Sequence, residues 1–100
     1  MKSTHLSEYR HFLAELRGVR KKAGISQQDL ANRLKRPQSF VSKYEMGERR
    51  LDMVEFIEVV SALEGDPVKF LSKFMKAIQP VSVWKTLKTR GRKRSPRKAY

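Results

Sequence analysis

Apolar residues recur at intervals of three and four along most of the chain, the period of helices that pack by one face. Between Ser7 and Ala23 the stripe is Tyr9, Phe12, Leu13, Leu16 and Val19, and Gly24 follows as a left-handed stop. Ser26 can then cap a second helix, with Gln27, Gln28 and Asp29 in its first turn and Leu30, Ala31 and Leu34 as its apolar side. Asp29 stands three residues after Ser26 and completes an approximate capping box. Pro37 disfavours helix at Arg36 yet suits the start of another, so Lys35-Arg36-Pro37 predicts a tight turn between two helices. A third helix over 38–45 would turn Val41 and Tyr44 inward and leave Gln38, Ser39, Ser42 and Lys43 outward.

Gly47 closes that helix, and Asp52 is the N-cap expected for a strongly apolar fourth helix from Met53 to Leu63. Its inward wall reads as Met53, Phe56, Ile57, Val60 and Leu63, with Gly65 as the stop. Asp66 and Pro67 restart the chain as cap and first helical residue of a fifth helix through Val68, Phe70, Leu71, Phe74, Met75 and Ile78. The expected fold is all-α, with five helices in one domain over 1–79. Residues 80–100 form a basic C-terminal extension.

Charge sharpens that division. The chain of 100 residues carries 23 Lys and Arg against 10 Asp and Glu, a formal +13, which implies attraction to a polyanion. Residues 80–100 hold eight of the basic residues and none of the acidic ones, so this segment reads as a disordered basic arm. With no cysteine, disulfides and thiolate metal sites are excluded. The first residues lack the apolar core of a secretory signal, and no run approaches the roughly 18 apolar residues of a spanning helix. A soluble, cytoplasmic protein with no membrane partner is expected. The only histidines, His5 and His11, lie near the N-terminus without a carboxylate pair or a Gly-rich phosphate loop, so neither an enzyme nor a cofactor or metal site is expected.

Two short helices joined by a tight turn raise the question of a helix-turn-helix. The run Ile25-Ser26-Gln27-Gln28-Asp29-Leu30-Ala31-Asn32-Arg33-Leu34, followed by Gln38-Ser39-Phe40-Val41-Ser42-Lys43-Tyr44-Glu45-Met46-Gly47-Glu48-Arg49, resembles the lambda-repressor/Cro-like (XRE) family over roughly residues 12–74. The resemblance implies a bacterial or phage-derived regulator of transcription that binds double-stranded DNA. The third helix would lie in the major groove while the second crosses the backbone. Gln38 then stands where family members commonly touch a base, and its amide can bond adenine N6 and N7 together. Ser39, Ser42 and Lys43 are further candidate base contacts. Ser26 and Gln27, at the start of the second helix, and Arg49 and Arg50, after the third, are candidate phosphate contacts. The resemblance also pairs Arg20 with Glu45 beneath the turn, a structural ion pair that would set the angle of the third helix. Phe40 departs from the smaller or more polar residues common at its position; packing on the second helix is the plain expectation for it.

The fifth helix together with Val81, Val83, Trp84 and Leu87 offers more apolar surface than so small a core needs, an excess that points to an interface. Phe70, Phe74 and Trp84 are the candidate dimer residues, for a homodimer that places two recognition helices on a palindrome. Repression is expected over activation because no second sensing domain is evident. Arg90-Gly91-Arg92 is similar to a minor-groove AT-hook, but Lys93 stands where its proline should follow. Two other readings use the same fold: an antitoxin or bridging module with a toxin or other protein partner, and a nonspecific DNA binder.

Overall fold

Side-chain caps divide the chain where the sequence places them. The Ser26 hydroxyl accepts from the Asp29 N–H at 3.0 Å while the Asp29 carboxylate accepts from the Ser26 N–H at 3.3 Å. Asp52 and Glu55 repeat this reciprocal box at 2.7 and 3.0 Å, and Asp66 accepts from the Val68 N–H at 2.9 Å. Each satisfies first-turn donors that a helix cannot satisfy itself. The computed structural model describes residues 3–78, and there the helices are α1 (Ser3–Lys22), α2 (Gln27–Leu34), α3 (Gln38–Glu45), α4 (Met53–Ala62) and α5 (Pro67–Ile78), with no strand among the described residues.

α1 begins four residues before the expected start. Pro37 is the cap residue of α3 rather than its first helical residue and offers no side-chain cap bond. The stop of α4 also differs from expectation. Lys35 (φ 60°) and Glu64 (φ 63°) take the left-handed conformation after α2 and α4, so Gly65 is not the residue that reverses the chain. Gly65 answers a packing need instead, since a Cβ there would stand 3.1 Å from the Val60 side chain.

α2 packs on α3 and α4, while α1 packs on α3 and α5. Leu16, Leu30, Val41, Tyr44, Val59 and Val60 are fully buried at the centre. Each leucine there contributes on the order of 1.5–3 kcal/mol. Phe12 gathers Phe56, Phe70 and Phe74 around it with ring centroids 5.6–5.8 Å away.

The inward face of α4 is Phe56, Val59, Val60 and Leu63, which corrects the expected wall: Met53 and Ile57 face outward with Val54. Both stripes share Phe56, Val60 and Leu63, and with Val59 and Ile57 equally apolar the period alone cannot choose between them. Phe70 is likewise buried in the core against Phe12 and Phe56, and Phe74 packs on the same core; Phe70 keeps too little surface for a dimer contact. Val81, Val83, Trp84, Leu87 and the 80–100 extension lie outside the described residues.

Candidate nucleic-acid interface

α2 and α3 meet across the turn Lys35-Arg36-Pro37, and the face they share carries a chain of polar contacts. Glu45, the last residue of α3, accepts two hydrogen bonds from Arg20 of α1, 2.7 Å from Nε and 3.0 Å from Nη2. Arg20 Nη1 donates to the Ile25 carbonyl at 2.8 Å. Only 8% of the Arg20 side chain and 3% of the Glu45 side chain are exposed, so the fork is a desolvated pair fixing α3 against α1. The bonds to Glu45 hold the guanidinium even further above its ordinary pKa, against the opposing effect of burial.

From Glu45 the chain runs outward. Gln27 of α2 donates to Glu45 Oε1 at 2.9 Å and accepts from the Gln38 amide at 3.1 Å. Gln38, exposed in the first turn of α3, thereby stands at the end of a relay, Arg20 to Glu45 to Gln27 to Gln38, that spans three helices. Its carbonyl oxygen and second amide hydrogen remain free of these bonds.

The helix-turn-helix domain family matches residues 11–69. In solved structures the fold is similar to that of an XRE-family like protein from Pseudomonas syringae pv. tomato str. DC3000, at 47% identity and a TM-score of 0.72, covering 77% of this chain and 93% of that one. Comparison with curated proteins gives no match. The chain is an XRE-like helix-turn-helix protein.

α3 is the helix expected to read bases, and its residues fall on both sides of the expected division. Gln38, Ser39 and Lys43 are exposed; Ser42 is half-buried, with its hydroxyl 3.9 Å from Met46 Sδ. Phe40 is buried, its ring edge against Tyr44 and covered by the guanidiniums of Arg36 at 4.4 Å and Arg49 at 4.8 Å. Arg49 also forms a two-toothed pair with Glu55, both bonds 3.0 Å, and Arg36 approaches the same carboxylate at 3.7 Å. The Arg49 bonds, followed by the Asp52 N–H, hold the Glu55 carboxyl below its ordinary range. Arg49 therefore braces the loop between α3 and α4, whereas Arg50 lies exposed over the Tyr9 ring at 4.6 Å. At the start of α2, the Ser26 N–H is taken by Asp29, which leaves its hydroxyl proton as the donor that can point outward.

Arg10 and Arg17 are absent from the sequence expectation. With Arg50 they border a cleft of about 360 Å3 between α1 and the end of α3, and Arg17 Nε lies 3.9 Å from Glu45. On a helical period they read as ordinary polar positions of α1. The available signal is their spacing from Arg20, at ten and three residues, which keeps all three toward one side of the helix. Among the described residues no helix is long and apolar enough to cross a membrane, and no group of three or more acidic or histidine side chains forms a metal cluster. The domain has the fold of DNA-binding regulators.

Proposed function

We propose that the protein is a sequence-specific transcriptional repressor that binds a palindromic operator as a homodimer, with α3 in the major groove. The observation that carries this reading is the braced position of Gln38. One of its amide hydrogens is committed to Gln27, and the remaining hydrogen and oxygen are the donor and acceptor that an adenine edge requires. Ser39, Ser42 and Lys43 extend the reading face. Arg10, Arg17 and Arg50, with the Ser26 hydroxyl and the α2 N-terminus, clamp the flanking phosphates. Arg49 acts one step back, by holding the loop. A dimer is supported by Met53, Val54, Ile57 and Val68, apolar side chains 44–75% exposed, which take the place expected of Phe70. Residues 80–100 add sequence-independent attraction to the duplex. A domain seated across a promoter represses by excluding polymerase.

Selection of binding sites from random duplex DNA, followed by footprinting, tests the proposal. The expected product is an inverted repeat with half-sites about one helical turn apart. Equal affinity for selected and random DNA at moderate salt would overturn it in favour of a nonspecific binder.

A further inference from the structure

A groove of about 570 Å3 runs between α1 and α5 on the side of α1 away from the recognition helix. Its lining includes Ala14, Gly18 and Val19 of α1, with Val60 and Phe70 behind them. At about 100° per residue, Gly18 lies some 160° around α1 from Arg20, the residue that faces α3. Whatever fills the groove can do so with α3 on DNA.

Gly18 is the first indication of what that is. It sits mid-helix, where glycine is unfavourable relative to alanine, its φ is not positive, and an added Cβ would meet nothing within 4 Å. Neither the backbone nor the packing of this domain requires it. A glycine one turn from Ala14 does serve a second helix, because small residues let helix axes approach closely.

The second indication is charge. Lys22, Lys69 and Lys73 border the groove, and none has an ion-pair partner among the described residues. The carboxylates beside them are engaged elsewhere: Glu15 with His11 at 3.4 Å, and Asp66 in capping α5. An apolar floor does not suit a phosphate backbone, and three lysines repel the chain's own segment 80–100, which has eight basic and no acidic residues. From His11 to Lys22 the border of the groove follows about three helical turns.

We propose that this groove is a docking site for an acidic amphipathic helix of a partner protein. Apolar residues at i, i+4, i+7 and i+11 would lie over Gly18 and Phe70, and flanking glutamates or aspartates would pair with Lys22, Lys69 and Lys73. The domain is then a bridge, joining DNA on one face to a protein on the other.

The test uses the full chain and three synthetic 16-residue helical peptides: leucines at those four positions flanked by glutamates, the same leucines flanked by lysines, and the glutamates with the leucines replaced by alanine. The Leu/Glu peptide should shift backbone amide resonances of residues 11–22 and 65–73, and the two controls should bind at least tenfold more weakly. Gly18→Leu adds a side chain whose Cβ meets nothing within 4 Å; it should weaken the Leu/Glu peptide at least tenfold while Tm and DNA affinity are kept. Lys22→Glu/Lys69→Glu/Lys73→Glu should weaken the Leu/Glu peptide as much and remove the salt dependence of its binding. Shifts confined to 26–50, where an acidic peptide merely imitates DNA, would overturn the proposal. Undiminished binding to Gly18→Leu would also overturn it. So would a fall in the protein's own oligomeric state on Gly18→Leu, which assigns the groove to a second copy, or Gly18-sensitive binding of dodecanoate without binding of the peptide, which assigns it to a small amphiphile.

Discussion

Gln38 donates its side-chain amide to Gln27, so the outermost residue of the α3 first turn is held from the helix before it. A long polar side chain fixed in this way loses less rotamer freedom on meeting a base. Gln38→Ala should flatten the preference at one base pair per half-site by about 1–3 kcal/mol and leave phosphate affinity in place. Gln27→Ala should reduce the same preference by less. Competition binding against single-base operator variants measures both, and an unchanged preference at every position with Gln38→Ala removes Gln38 from the reading face.

Arg20→Ala would leave the Glu45 carboxylate buried with Arg17, at 3.9 Å, as the one remaining nearby cation among the described residues, and would also strip the Ile25 carbonyl of its donor. Removal of one member of such a pair costs on the order of 3–5 kcal/mol. Urea denaturation should show that loss, whereas Arg20→Met combined with Glu45→Leu should recover most of it. The double variant still lacks the anchor for Gln27, so its stability should return without its operator discrimination.

The Glu55 carboxyl, held below its ordinary value near 4.5 by Arg49 and the Asp52 N–H, ties stability to acid. A carboxylate with a depressed folded pKa stabilises the fold above its unfolded pKa and loses that contribution as pH falls through the folded value. Glu55→Gln should therefore be less stable than the parent at pH 7, and the difference should close as pH falls below about 4. Denaturation midpoints at pH 7, 5 and 3 check this; a gap that persists at pH 3 would mean that the pair acts by packing alone.

Tyr44 is fully buried, and its hydroxyl has no hydrogen-bond partner among the described residues. Burial pushes its ionisation well above the usual tyrosine range. A desolvated donor without a partner costs about 1–3 kcal/mol, so Tyr44→Phe should leave stability unchanged or raise it by about 1 kcal/mol. A clear drop in Tm would place an ordered water on that hydroxyl.

Deletion of residues 88–100 removes seven of the basic residues. The slope of log affinity against log salt should become shallower, with the preferred sequence unaltered. A changed sequence preference would mean that this segment reads bases.

What was legible in the sequence is mostly what is local. Ser26, Asp52 and Asp66 announce helix starts because a cap and its helix lie within three residues of each other. The face of α4 was not legible, since choosing Val59 over Ile57 needs the position of α2 and α5. The Arg20–Glu45 pair spans 25 residues and came from family resemblance rather than from spacing. Arg49 misled for a related reason: a cation after a recognition helix suits a phosphate, and only the folded loop brings Glu55 within 3.0 Å of it. Gln38 was readable as an outward residue, but the bond that braces it depends on the angle between α2 and α3.

Of the described helix starts with capping geometry, α2, α4 and α5 each close on a carboxylate or hydroxyl of their own, while α3 begins at Pro37 with none. The Phe40 N–H bonds the Pro37 carbonyl at 2.9 Å, so the Gln38 and Ser39 amides and the positive end of the dipole are left for an external acceptor. An anion seated there completes the helix as well as binding it, so the recognition helix should fray less with an operator phosphate in place. Affinity and local order would then rise together, and protection of the α3 amides from hydrogen exchange becomes a gauge of occupancy.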